Sequence, residues 1–186
     1  MVGEMPTRGR MRMTILKVGG GHSAQGVIVA SEIASLRLHW IGKRSYVCPG
    51  EECEACQTVV SRWAGFVPML VDVGRGRPKG VALLEVTESA WLRFDGLCRM
   101  EQDRELFGMM ISVLRRRGKE ALMIDPLGRG DLGTRRPIRK ELVYDVLATI
   151  YQLPSLRDGE TVEDWSDRAS VAARHQLQVG LLRETR

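Results

Sequence analysis

The feature that most constrains how this chain can fold is a group of cysteines near residue 50. Cys48, Cys53 and Cys56 follow His39 with the spacing H-x8-C-x4-C-x2-C. A two-residue gap between cysteines lets one tight turn aim both thiolates at a single ion, and three cysteines with one histidine are a common ligand set for structural zinc. The spacing therefore predicts one structural Zn²⁺ ion held by His39, Cys48, Cys53 and Cys56.

Other interpretations of the cysteines stay open from the sequence. They include reduced thiols without a ligand and a redox pair at Cys53 and Cys56, although that pair lacks the strand-to-helix context of thioredoxin-like proteins. An iron–sulfur cluster needs a fourth thiolate, but Cys98 is isolated on the apolar stripe of a predicted helix, where we expect it in the core. Zinc deaminases carry a Glu two residues after the ligand His, whereas this chain has Ile41 there. We find no catalytic constellation and expect no enzyme.

The charge of the chain is unevenly distributed. Residues 1–140 contain 23 Lys and Arg against 15 Asp and Glu, a net of +8, whereas residues 141–186 contain 5 against 8, a net of −3. A basic body favours polyanionic partners, nucleic acid before acidic membrane surfaces. No apolar run approaches the roughly 20 residues that span a bilayer, and no apolar stretch follows the basic N-terminus. We expect a cytoplasmic protein without a membrane partner.

Apolar periodicity predicts a chain of short strands with few helices. Strands are expected at 11–18, 26–30, 35–41, 66–73 and 80–86, with a hairpin of 106–114 and 120–125. Helices are expected at 56–63, at 87–100, from Pro137 onward and at 162–182. Pro68 predicts a sheet edge or a bulge. This order favours a mostly β fold with packed helices, a small barrel or sandwich that ends in a C-terminal helix. Residues 1–154 form that domain, and 155–186 form a polar, net acidic tail, flexible or helical.

Four basic runs fall in the predicted connections and are candidate phosphate contacts. On one rim of a barrel they would form a cationic groove for nucleic acid, although each also suits an ordinary solvated turn. Their residues are Lys43, Arg44, Arg75, Arg77, Lys79, Arg115, Arg116, Arg117, Lys119, Arg135 and Arg136.

Proteins that bind single strands also stack bases on aromatic side chains. The candidates around the metal ligands are Trp40, Tyr46, Trp63 and Phe66. Tyr46 is the best of them because it lies beside Lys43 and Arg44. Trp40 and Phe66 also suit the core.

The order of one His and three Cys, lodged between strands of a basic β-rich domain, resembles the zinc-containing single-stranded DNA-binding proteins of tailed phages. The resemblance implies an OB-type barrel, a structural zinc subdomain and a cationic cleft with aromatic residues. It also implies an acidic C-terminal tail, here residues 157–186, for partner proteins such as those of replication or recombination. We therefore expect a non-enzymatic protein that binds single-stranded nucleic acid, DNA in the first place. The first alternative is a zinc-stabilised interaction or regulatory subunit with an acidic partner, and the second is a nuclease or other enzyme with an unrecognised site.

Overall fold

The computed structural model describes residues 13–16, 18–50, 53–71, 80–100, 104–118 and 122–184. These residues form eight strands, three helices and one 3₁₀ turn at Glu54–Gln57. The strands are β1 (Thr14–Leu16), β2 (His22–Ile28), β3 (Ala34–Ile41), β4 (Arg44–Val47), β5 (Arg62–Val71), β6 (Gly80–Thr87), β7 (Met109–Arg115) and β8 (Leu122–Arg129). The helices are α1 (Glu88–Met100), α2 (Lys140–Ile150) and α3 (Val162–Glu184).

All eight strands belong to one mixed sheet built around the long strand β5. The main order is β1-β6-β5-β2-β7-β8, and the β3–β4 hairpin joins it through β5. On one side of β5, β6 pairs with residues 64–71. On the other side, β3 pairs with the first half of β5 and β2 pairs with the second half of β5. The hairpin thereby extends the sheet beyond the start of β5, which is where the candidate metal ligands lie.

Pro68 lies inside this central strand, so the expectation of an edge position is wrong. The partner of β5 changes there, because β3 pairs up to Phe66 and β2 begins at Met69. The carbonyl of Pro68 accepts a hydrogen bond from the Val29 N–H at 3.0 Å. A proline is tolerated at this point because its missing N–H falls at the junction between two partner strands.

The two faces of the sheet bury two separate cores. Helix α1 contacts β5, β6 and also β8 at the far edge, so the sheet curls around this helix. This core contains Phe94, Ile111 and Cys98, the last only 3% exposed as expected. Helices α2 and α3 pack on the opposite face against Phe66 and Leu83. The prediction of β structure with packed helices is confirmed, but the described strands form an open sheet and do not close into an OB-like barrel.

Residues 155–186 contain α3, which shares the second core with the sheet. Its buried stripe recurs every four residues and consists of Trp165, Ala169, Ala173 and Leu177. The indole of Trp165 packs on the ring of Tyr144, with centroids 5.2 Å apart, and its Nε1–H donates to the Pro154 carbonyl at 2.7 Å. Two N–H groups of Arg168 donate to the carboxylate oxygens of Glu160 at 3.0 and 2.6 Å. This pairing lowers the pKa of Glu160. None of the described helices is both long and apolar enough to cross a bilayer.

The helix expected at 56–63 is replaced by the short 3₁₀ turn and the start of β5. Trp63 lies in the strand, and its ring covers Gly65 so closely that a Cβ there would stand 2.4 Å from it. In a strand, residues two positions apart lie on one face, so the Trp63 ring can lie across Gly65. The helix expected from Pro137 begins three residues later, at Lys140.

Candidate metal centre

The turn of the β3–β4 hairpin brings the first two candidate ligands together. Gly42 and Lys43 have φ values of 54° and 67°, as a two-residue type I′ turn requires. The resulting register pairs His39 with Tyr46, so that the chain returns beside His39 before it reaches Cys48. The Cys48 N–H then donates to the Arg37 carbonyl at 2.7 Å, which holds the first cysteine against β3.

The remaining two cysteines are placed by a reversal of the chain and by the 3₁₀ turn. Gly50, with a φ of 102°, adopts a conformation that favours glycine. Its carbonyl accepts a hydrogen bond from the Cys53 N–H at 3.2 Å, and the Cys53 carbonyl accepts one from the Cys56 N–H at 3.0 Å. These bonds hold the two-residue gap in the tight turn that the sequence predicted.

The four ligand atoms form one compact cluster, all within 4.8 Å of one another. The Cys48 and Cys56 sulfurs are 3.7 Å apart. His39 Nε2 lies 3.2 Å from the Cys53 sulfur and 3.6 Å from the Cys56 sulfur. A tetrahedral site with metal–sulfur bonds of about 2.3 Å has sulfurs about 3.8 Å apart and nitrogen–sulfur distances of about 3.5 Å. The four side chains can therefore hold one metal ion. Cys98 is not part of this cluster, because it lies in the core between α1 and the sheet.

The imidazole of His39 is oriented by a hydrogen bond on its far side. The side chain is fully buried, and its Nδ1 lies 3.0 Å from the Val59 carbonyl, to which it donates. The Val59 N–H in turn donates to the Ala55 carbonyl at 2.7 Å, inside the turn that carries two of the cysteines. Such an outer hydrogen bond fixes the tautomer and leaves Nε2 as the ligand atom.

The thiols differ in how readily they lose a proton. Burial raises the pKa of Cys48 to about 11. Burial also acts upward on Cys56, but hydrogen bonds with Cys48 and Ser61, together with the charge of Arg37, leave the pKa of Cys56 below its ordinary value. Metal binding must displace the Cys48 proton, so affinity for a metal ion rises with pH.

An apolar layer closes the centre on the side of the C-terminal helix. Leu177 packs with Ile41, Cys53 and Ala55, and Leu181 lies against the same cluster. Gly180 lies against the ring of Tyr46, where an added Cβ would stand 2.9 Å from Cζ. The cover lies over Cys53, whereas Cys56 is exposed on the other side. A set of four protein ligands is typical of structural metal sites.

The described candidate phosphate contacts lie in three exposed connections. Lys43 and Arg44 form the tip of the β3–β4 hairpin. Arg116 and Arg117 are exposed after β7, whereas Arg115 is half-buried and its Nε has no partner among the described residues. Arg135 and Arg136 are exposed in the loop before α2. The candidates Arg75, Arg77, Lys79 and Lys119 lie outside the described residues.

These connections do not share one rim. Strand β3 runs antiparallel to β5, so the hairpin tip lies beyond the start of β5. Strands β5 and β7 both run antiparallel to β2, so Arg115 and the residues that follow lie beyond the end of β5. The ten residues of β5 span about 30 Å. The loop before α2 is tied to the middle of the sheet, where the Ile138 N–H donates to the Val29 carbonyl at 2.7 Å.

The four aromatic candidates have different environments. Phe66 is fully buried, Trp63 is half-buried over Gly65, and Tyr46 is half-buried under α3. Trp40 is 59% exposed. The sequence favoured Tyr46 because of its basic neighbours, and Trp40 also suited the core. The sequence signal for the exposure of Trp40 was its position just before the Gly42 turn. The end of a strand beside a turn projects beyond the core that covers the earlier residues of the strand.

Comparison with known proteins assigns no family. No protein-family model matches the chain, and no curated protein matches it significantly.

Proposed function

We propose that this protein is a non-enzymatic single-stranded nucleic-acid-binding protein, DNA in the first place, with a structural zinc ion at the base of its binding hairpin. One observation carries the proposal. The ligand cluster is built on a hairpin whose charged residues are all basic, since Arg37, Lys43 and Arg44 lie between Glu32 and Glu51 without an acidic residue. A rigid, basic projection of this kind suits a phosphate backbone.

Zinc is the ion that fits the donor set best. Three sulfurs and one imidazole nitrogen in a tetrahedral, closed arrangement are typical of structural zinc rather than of the oxygen-seeking magnesium or calcium ions. Three thiolates exceed the charge of a divalent ion by one unit, and Arg37 is placed to balance that excess because its charge acts on Cys56. Lys43 and Arg44 then remain as the charges that the hairpin presents to a partner.

Nucleic acid would bind to exposed basic surfaces, so the proposed role does not require a closed barrel. Exposed cations lie at the hairpin tip, after β7 and before α2, and each set can neutralise phosphates. The resemblance to the zinc-containing proteins of tailed phages remains a hypothesis. Its acidic tail would correspond to the exposed Glu163, Asp164 and Asp167 at the start of α3, which we propose as the contact for partner proteins of replication or recombination.

A titration of a fluorescent deoxythymidine oligomer at several salt concentrations tests the proposal. The logarithm of the binding constant should fall linearly with the logarithm of salt, by about 0.7 for each phosphate contact on a single strand. Elemental analysis of the same sample should find one zinc per chain. Absence of binding to any oligomer at low salt would reject the nucleic-acid role and favour the zinc-stabilised interaction subunit with an acidic partner.

A further inference from the structure

An exposed tryptophan lies next to the basic tip of the hairpin. Trp40 is the only aromatic residue among the large hydrophobic side chains exposed in the described part of the chain. For comparison, Trp165 is 1% exposed. Trp40 faces Ser45 on the neighbouring strand, three residues before Lys43 at the turn. An indole left in water at this place has no role in either core.

The backbone that carries Trp40 is held rigidly. Its neighbours His39 and Ile41 are buried, one as a candidate ligand and the other in the apolar cover of the centre. Leu38, two residues earlier on the same face, is fully buried in the core under α2 and α3. An aromatic side chain on a fixed strand loses little entropy when it binds, so it makes an efficient contact.

The charges at the hairpin tip complement a single strand. Lys43 forms the tip of the turn, three residues after Trp40, whereas Arg44 pairs with Ile41 and lies on the face of the hairpin opposite Trp40. Neither has an acidic partner within the described residues. Sequence-tolerant binding of single strands combines stacking of a base on an aromatic face with phosphate contacts by neighbouring cations. Both elements meet at this hairpin.

We infer that Trp40 is the base-stacking platform of a single-strand binding surface at the hairpin tip, with Lys43 at the turn as its phosphate contact and Arg44 adding charge from the opposite face. The inference rests on the proposed function and names the site that performs it. It replaces Tyr46, the aromatic residue favoured by its sequence neighbours, because the ring of Tyr46 is covered by Gly180 of α3. A base can reach the indole of Trp40 without displacing any helix.

The test compares Trp40→Ala and Trp40→Phe with Leu92→Ala in the zinc-loaded, full-length protein. Leu92 is a matched control because it is 63% exposed on α1, distant from the hairpin. With a fluorescent deoxythymidine oligomer at fixed salt, Trp40→Ala should raise Kd about 5- to 100-fold. Trp40→Phe should retain most of the affinity, and Leu92→Ala should bind like the native protein. Quenching of tryptophan fluorescence by an unlabelled oligomer should largely disappear in Trp40→Phe.

Zinc content and the circular dichroism spectrum confirm that each variant is folded, as expected for a change at an exposed side chain. If the native protein binds and folded Trp40→Ala binds equally well, the inference is wrong while the proposed function stands. If the native protein binds no oligomer, the proposed function fails and the inference fails with it. A weaker Trp40→Ala accompanied by a normal Leu92→Ala supports both.

Discussion

The connections at the two ends of β5 carry similar charge but differ in the structure that supports the charged residues. At the start of the strand, the β3–β4 hairpin presents Lys43 and Arg44 above four candidate metal ligands and beside an exposed indole. At the other end, Arg116 and Arg117 are exposed in a turn with no exposed aromatic neighbour among the described residues. Charge alone makes the two ends equivalent. Packing separates them, because only one combines cations with a stacking surface on a fixed backbone.

At the β7–β8 end, a run of glycines lies against the turn that carries the arginines. Residues 19–21 are all glycine, and the Gly21 N–H donates to the Arg115 carbonyl at 2.7 Å. A Cβ on Gly20 would stand 3.8 Å from the Arg117 Cα, so the glycine loop lies close against the arginine turn. The described residues of this end therefore offer charge without an exposed aromatic side chain.

The largest expected effect comes from removing a ligand at the hairpin end. Cys53→Ser should lose the metal and destabilise the fold by several kcal/mol, because binding of structural zinc contributes on the order of 10 kcal/mol. Leu177 packs on the same cysteine, so the end of α3 should loosen as well. Elemental analysis and thermal unfolding measure both effects.

Cys98→Ala is the matched control for this variant. It should cost only about 1 kcal/mol and leave the metal content unchanged, because Cys98 packs in the core of α1. Loss of metal in Cys98→Ala, or full metal content in Cys53→Ser, would contradict the ligand assignment.

A charge-matched pair of double variants compares the two ends directly. Lys43→Gly with Arg44→Ala removes two charges from the hairpin, and glycine suits the positive φ of 67° at Lys43. Arg116→Ala with Arg117→Ala removes two charges from the opposite turn. The hairpin variant should flatten the salt dependence by about 1.4 on a log–log plot, and the other should change it much less.

Equal slopes in the two double variants would mean that general attraction by the basic body accounts for binding. A larger change in the Arg116 and Arg117 variant would move the site to the β7–β8 end. Oligomer titrations at four or more salt concentrations distinguish these outcomes.

The smallest expected effect comes from two helical glycines with different surroundings. Gly96 in α1 has open space around an added Cβ, so Gly96→Ala should stabilise the protein by about 0.5–1 kcal/mol. Gly180→Ala should be less stable than Gly96→Ala by at least about 1 kcal/mol, because its Cβ would press on the ring of Tyr46. Denaturant unfolding measures the difference. Equal stabilisation by the two variants would show that α3 does not cover Tyr46.

The ligand set could be predicted from the sequence because its geometry is local. The two-residue gap, the reversal at Gly50 and the short hairpin all act within 18 residues, from His39 to Cys56. The same holds for α1 and the β7–β8 hairpin, whose patterns are long enough to be read by period. Cys98 was placed in the core for this reason.

Only the tertiary structure decided which surfaces are exposed. Tyr46 is covered because Gly180, which lies far away in the chain, reaches its ring through the packing of α3, whereas Trp40 is 59% exposed. The positions of the basic runs depend on the order and direction of the strands. The partner change at Pro68 depends on two strands that meet beside β5. The described strands form an open sheet, with α1 in contact with both β5 and β8. These are non-local pairings, which the spacing of residues in a sequence does not encode.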